Sequence, residues 1–220
     1  MVELAIVVEG ETEESFVNKV LAPTLGVADI SAWPVLPGNG RRRRGGVRPW
    51  ESIRRDVLRL LKQQRRRRCA ILFDFYGLPS DWPGRTDSES QHLTDRAHFV
   101  ESALVADVVS HMGADFDRVR FIPHIQLHEF EARLFSDTEV LAAGLGVKRT
   151  ELDRIVEECG SPERIDDSPE TAPSKRLKQI APRYDKVIQG TQLSLAIGLL
   201  KMRDACPHFN AWLTVIERLQ

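Results

Sequence analysis

An acidic residue closes the first apolar run of this chain. Leu4-Ala5-Ile6-Val7-Val8 is followed by Glu9-Gly10 and then by Glu11-Thr12-Glu13-Glu14. The run reads as a buried, parallel strand. Gly10 permits a sharp turn, and Thr12 is the expected N-cap of a helix carrying Phe16, Val17, Val20 and Leu21 on one face. Glu9 is thereby presented at the C-terminal edge of a strand, where open α/β sheets bind their ligands. Glu13, four residues on, is expected to point at the same space. Two carboxylates so placed repel each other unless a cation lies between them. A second apolar run, Cys69-Ala70-Ile71-Leu72-Phe73, delivers Asp74 in the same way, and a third strand, Val119 to Leu127, is followed by His128, Glu129 and Glu131. Acids at three strand ends along one sheet edge make a candidate site for Mg2+ or Mn2+, hard ions that take oxygen ligands. Carboxylates converging on such ions neutralise a phosphate and activate water, which is what phosphodiester hydrolysis needs. Each acid also has a plainer role open to it. Glu13 and Glu14 suit the helix dipole, Glu129 suits the cap of the helix beside it, Glu131 suits an ion pair with Arg133 or a neighbour, and His128 suits a strand carbonyl. No capping role accounts for Glu9.

The elements that must position these residues alternate between strand and helix. Residues 28–36 read as a weaker strand broken by Pro34, and residues 38–46 as a basic, glycine-flanked loop expected to be disordered without a ligand. Trp50 to Gln64 has helical spacing through Ile53, Val57, Leu60 and Leu61. A Pro-, Gly- and Ser-rich loop spans Gly77 to Gln91, and a helix near 92–111 turns Ala97, Val100, Leu104 and Val108 inward. Pro123 places the third acidic strand at a sheet edge or a bend, and a helix from His128 runs to about Phe135. This alternation predicts a three-layer α/β domain with a mainly parallel sheet and right-handed crossovers. From residue 138 the pattern changes to helices near 138–144, 148–159, 174–181 and 207–219. The expected division is an α/β core over 1–137 and a C-terminal helical subdomain over 138–220, packed on the core.

Composition narrows the class. At 220 residues, 42% hydrophobic and 29% charged, the chain is an ordinary globular protein with room for one substantial core. No apolar run has the length of a membrane span, and the N-terminus enters a strand without a signal-like region. Cys69, Cys159 and Cys206 are odd in number and lack metal-ligand spacing. Reduced thiols and a cytoplasmic location are therefore expected, with no membrane partner. The net charge of −1 conceals an asymmetry. Residues 41–68 hold 13 Lys or Arg against two acids, Glu51 and Asp56, while the remainder holds 18 bases and 30 acids. Such a division predicts a polyanion-facing patch, with Arg41, Arg42, Arg43, Arg44, Arg54, Arg55, Arg59, Arg65 and Arg66 as candidate contacts to a nucleic-acid backbone. The run from Arg65 to Arg68 also suits the C-terminal dipole of its helix.

A strand ending in Glu-Gly and a later strand ending in an Asp-centred motif resemble a TOPRIM domain, shared by topoisomerases, primases and OLD-type nucleases. More closely, the runs VVEGETEESFV, ILFDFYGLP, IQLHEFEARLF, TAPSKRL and CPHFNAWL resemble a TOPRIM-like family, domain-of-unknown-function family 4276, over nearly the whole chain. The TOPRIM resemblance implies that Glu9 binds metal or handles a proton. It implies that Glu13 is the second acid one helical turn later, and that Asp74 is the first aspartate of an Asp-x-Asp pair. Tyr76 stands where the second aspartate of that pair belongs. A neutral phenol is a poor Mg2+ ligand, so the resemblance implies one ion, or a second held by Glu131. Glu129 or Glu131 would complete the metal shell, and Lys175 is the candidate for the cation that steadies the transition-state phosphate. Lys175 and Arg176 also fit a solvated helix start after Ser174. Tyr76 and Trp82 suit either base stacking or the core, and His208 and Trp212 read as packing residues.

Two functions are expected, and the TOPRIM resemblance implies both the phage-defence role and the ATPase partner named in them. The first is a Mg2+- or Mn2+-dependent nuclease acting on DNA or RNA, with a role in phage defence. The second is a non-catalytic TOPRIM-like binding module that partners a neighbouring ABC-type ATPase. A small-molecule phosphatase is disfavoured, because the sequence has neither a P-loop run nor a serine on a strand-to-helix turn.

Overall fold

The computed structural model describes residues 1–38, 46–165 and 171–219. Arg41, Arg42, Arg43 and Arg44 lie outside the described residues.

Four strands form one sheet: β1 (Val2–Val8), β2 (Ile30–Val35), β3 (Arg68–Asp74) and β4 (Phe121–Gln126), in the order β2-β1-β3-β4. All three pairings are parallel. Successive residues of each strand serve opposite faces, as the pleat requires. Leu4, Ile6, Val8, Ala70 and Leu72 join one apolar cluster, and Ala5, Val7, Cys69, Ile71 and Phe73 join the other. The helices α3 (Trp50–Gln63) and α4 (Arg96–Met112) cover the second face. The first face is covered by α1 (Glu11–Phe16) and α2 (Ala22–Val27), which are joined through a π-helical turn at Val17–Leu21. The same face receives α5 (Thr138–Leu145), α6 (Arg149–Cys159), α7 (Pro173–Ile180), α8 (Ile188–Ile197), α9 (Leu199–Ala205) and α10 (Pro207–Glu217). The result is three layers, helix on sheet on helix. Among the described residues no helix is long and apolar enough to cross a membrane.

Several local expectations need correction. Pro34 does not break its strand: β2 runs through it, with Pro34 in register with Ile6. Both β2 and β4 are edge strands, and an edge is where a proline, lacking an N–H, leaves no ladder partner unmet. Pro123 sits on the other edge, as its position implied. The N-cap of α1 is Gly10 and not Thr12, which is buried inside the first turn. The carboxylate of Glu13 reaches back and accepts the Gly10 N–H at 3.0 Å, so a side-chain oxygen from within the turn does the capping. The segment after β4 is a 3-10 helix, Phe130–Ser136. The helices α8 and α9 have no counterpart in the sequence reading. Residues 188–205 include Gly190 and Gly198 and lack the clean amphipathic stripe by which α3 is recognised.

Candidate active site

The order β2-β1-β3-β4 reverses direction between β1 and β3. Beyond the carboxyl ends of two such strands an open α/β sheet leaves a crevice. Val8 of β1 pairs with Leu72 of β3, so Glu9 and Asp74 leave the sheet side by side. The Asp74 N–H donates to Glu9 Oε2 at 3.3 Å, and the Glu9 carbonyl accepts from the Gly46 N–H at 2.6 Å. Gly77 follows closely, and a Cβ there would lie 3.1 Å from Val47 and 3.9 Å from Glu9 Oε1. The absence of a side chain at Gly77 keeps that approach to the Glu9 carboxylate open. Asp74 is buried, and its Oδ2 accepts the Phe130 N–H at 3.3 Å.

These two acids are electrostatically crowded. Burial pushes the Glu9 carboxyl up to about 7, and repulsion from Glu13 and then Glu129 adds to it, against the Asp74 N–H and the Lys186 charge. Burial also holds Asp74 well above the usual carboxylate range, with repulsion from Glu9 and Glu13 next, partly offset by Lys186 and Arg133. Carboxylates with such raised values hold negative charge badly in a metal-free site. Pairs of this kind concentrate at functional sites.

The other acids are placed individually. Glu13 is buried and caps Gly10, as described above, yet its charge reaches both Glu9 and Asp74. Glu129 makes no side-chain cap for the 3-10 helix beside it. Its Oε2 accepts the Ser174 N–H at 2.8 Å, in the first turn of α7, and so clasps a helix 45 residues away. Glu131 is fully buried and pairs with Lys186 at 3.1 Å, not with Arg133. Arg133 points the other way. It hydrogen-bonds Gln126 and lies over the rings of Phe16, Phe130 and Phe209. His128 is buried and lines a narrow cavity with Gln126, Ala132, Arg133 and Phe209. Tyr76 is half exposed, and Trp82 is core, donating its indole N–H to the Arg48 carbonyl.

Lys186 is the cation that sequence reasoning missed. It sits in the turn before α8, with its charge felt by Glu9, Asp74 and Glu131. Burial opposes its charge, but Glu131 first, then Asp74 and Glu13, hold its pKa above the usual lysine value. Lys175 is exposed in the first turn of α7, whereas Lys186 is among the largest influences on Glu9, Asp74 and Glu131.

The described arginines of the basic segment are spread over the molecule. Arg54 pairs with Asp107 at 3.3 Å, Arg55 with Glu51 at 3.2 Å and Arg59 with Asp56 at 3.1 Å. Arg65 and Arg66 are exposed in the turn that leads into β3. They stand at the rim opposite the acids, separated from Asp74 by the length of the strand, roughly 20 Å. Gly46, at the end of the glycine-flanked loop, is instead hydrogen-bonded to Glu9 itself.

A family model described as Domain of unknown function (DUF4276) matches residues 8–217, and the chain belongs to that family. Among solved structures, the chain is similar to the C-terminal region of the Xanthomonas campestris pv. campestris OLD protein, with 18% identity and a TM-score of 0.43. The match covers 97% of this chain and 93% of that one. Comparison with curated proteins gives no match.

Proposed function

We propose that this DUF4276 chain is a metal-dependent phosphodiesterase, a nuclease acting on DNA or RNA, whose working centre is Glu9 and Asp74. One observation carries the reading. The ends of β1 and β3 set two acids side by side at the switch point of a parallel sheet, the Asp74 N–H donating to the Glu9 carboxylate, and burial and mutual repulsion keep both pKa values high. Crowded, oxygen-only donors with raised pKa values fit a hard divalent cation such as Mg2+ or Mn2+, whose charge would relieve the repulsion. Glu9 and Asp74 would hold the ion, with Glu13 and Glu129 adding negative charge nearby. When bound, it would neutralise phosphate charge and bring the pKa of a water toward neutrality. Lys186, and not Lys175, supplies the fixed positive charge beside the acids and would face a phosphate oxygen. Glu131 holds Lys186 in place through their ion pair. Tyr76 offers a half-exposed ring in the turn after Asp74, open for stacking on a base. This is the role that the TOPRIM resemblance implies, with the lysine reassigned.

The test is cleavage of single- and double-stranded DNA and RNA by purified protein with Mg2+, with Mn2+, and with chelator. Metal-dependent cleavage that Glu9→Gln and Asp74→Asn each abolish is the expected result. Nucleic-acid binding with no cleavage under any of these conditions would end the enzyme reading. It would leave the binding module, a partner for an ABC-type ATPase, as the description.

A further inference from the structure

A second group of ligand-type side chains lies at the edge of the sheet, apart from the acids of β1 and β3. His98 and Glu101 are three residues apart on α4 and so share a face. His124 comes from β4 and His208 from the first turn of α10. The Glu101 carboxylate is central. Its Oε2 is 3.1 Å from His98 Nδ1, and its Oε1 is 3.0 Å from His208 Nε2 and 3.7 Å from His124 Nδ1. One ligand atom from each of His98, Glu101 and His208 falls within 4.8 Å of the others. The His124 and His208 rings are 4.4 Å apart and the His98 and His208 rings 4.7 Å.

Histidine–carboxylate ion pairing explains part of this arrangement but not all of it. His124 is buried, and its Nδ1 has no hydrogen-bond partner among the described residues, although it faces Glu101 at 3.7 Å. Three imidazoles packed on one carboxylate would repel one another if all were protonated. Imidazole nitrogens around one carboxylate are an N/O donor set of the kind that borderline transition metals take. Ligands about 2 Å from a tetrahedral zinc are about 3.3 Å from each other, so the three ligand atoms, within 4.8 Å of one another, would draw together around an ion. The outer surroundings are also fixed. The Ile125 N–H donates to Glu101 at 2.8 Å, and the His124 ring stacks on Trp212 at 5.1 Å. A surface cleft of about 150 Å³, lined by His98, Glu101, His208 and Trp212, gives an ion a way in and room for a further ligand.

We propose that His98, Glu101 and His208, with His124 beside them, bind a zinc-class transition-metal ion that ties α4 and α10 to the edge strand β4. Imidazole donors select Zn2+, Co2+ or Ni2+, whereas the all-oxygen set at Glu9 and Asp74 selects Mg2+ or Mn2+. The two sites therefore separate by ligand softness.

The test uses untagged full-length protein carrying Glu9→Gln and Asp74→Asn, so that the carboxylate site contributes nothing and the outcome is independent of the nuclease reading. Co2+ is titrated and its visible d–d absorption recorded. A single Co2+ with a low-symmetry spectrum, displaced by Zn2+, is expected, together with a rise in Tm on adding Zn2+. His98→Ala, at an exposed position where folding is safe, and His208→Ala should each weaken binding at least about tenfold. Far-UV circular dichroism checks that both remain folded. A flat Co2+ titration, or a Kd unchanged by His98→Ala in folded protein, would overturn the proposal and leave a histidine–carboxylate ion-pair cluster.

Discussion

Replacing Glu9 by glutamine should make the metal-free protein more stable, and only above a defined pH. In the unfolded chain this carboxyl titrates near 4.5, while in the folded chain it is pushed up to about 7. Below pH 4.5 both states hold the proton and the residue contributes nothing to the balance. Between 4.5 and about 7 the unfolded state has lost its proton and the folded state keeps it, so rising pH favours unfolding. Above about 7 both are ionised and the penalty becomes constant. A displacement from 4.5 to about 7 corresponds to about 3 kcal/mol. The wild type should therefore lose about 3 kcal/mol relative to Glu9→Gln as pH rises through that window, and nothing further beyond it. Urea unfolding in chelator, followed by circular dichroism at half-unit pH steps, measures the difference while cancelling titrating groups that Glu9 does not touch. Mn2+ should restore wild-type stability above pH 7 and leave Glu9→Gln unchanged, because ligand bound to the native state stabilises it by mass action. A difference that stays flat across the window, or grows in favour of the wild type, would refute the claim that Glu9 is held in a crowded, charge-averse place.

Two further predictions test the surroundings. Lys186→Met strips the counter-charge from fully buried Glu131 and should cost about 1–3 kcal/mol. Pairing it with Glu131→Gln should recover most of that loss in the same unfolding assay, whereas losses that simply add would show that the pair is not coupled. Arg65→Ala with Arg66→Ala, at the far rim, should leave cleavage and the salt dependence of nucleic-acid binding as in the wild type. A log–log salt slope reduced by about two would instead place both residues on phosphates.

Much of the sheet could be read from sequence because its information is local. Five apolar residues followed by an acid mark β1 and β3 without ambiguity, and parallel pairing then fixes Glu9 beside Asp74. Pro34 misled because a proline's effect depends on whether its strand lies at an edge, which only the sheet order decides. Glu129 and Glu131 were visible as acids, but their partners, the Ser174 N–H and Lys186, lie 45 and 55 residues further along the chain. Lys186 itself is a single cation in a turn and belongs to no pattern that a linear reading can detect. The three histidines around Glu101 were hidden for the same reason. His98 and Glu101 share a helix, whereas His124 and His208 reach them only through the placement of β4 and α10. His208, expected to pack, has its ring nitrogen on a carboxylate.

The C-terminal helices make the acidic site electrostatically tolerable. Gly190 lets α8 lie close against the core: a Cβ there would stand 3.0 Å from Tyr184 Oη, 3.7 Å from Phe130 and 4.0 Å from Thr12 of α1. That close approach sets the preceding turn, and with it Lys186, against Glu131 and within electrostatic reach of Asp74 and Glu13. On the other side, α10 contributes Phe209, whose ring lies 4.7 Å from the Arg133 guanidinium. Phe16 and Phe130 complete an aromatic enclosure at 5.1 and 5.2 Å. Aromatic faces stabilise a desolvated cation, so Arg133 remains buried and charged where it offsets Asp74. The sheet supplies negative charge at one point, and the last third of the chain supplies one compensating cation, Lys186, and one wall around the other, Arg133. A chain ending near residue 137 would keep Glu9 and Asp74 but lose Lys186 and a wall of the Arg133 enclosure. The acids would then lose one of the two cations that offset their repulsion, and part of what encloses the other.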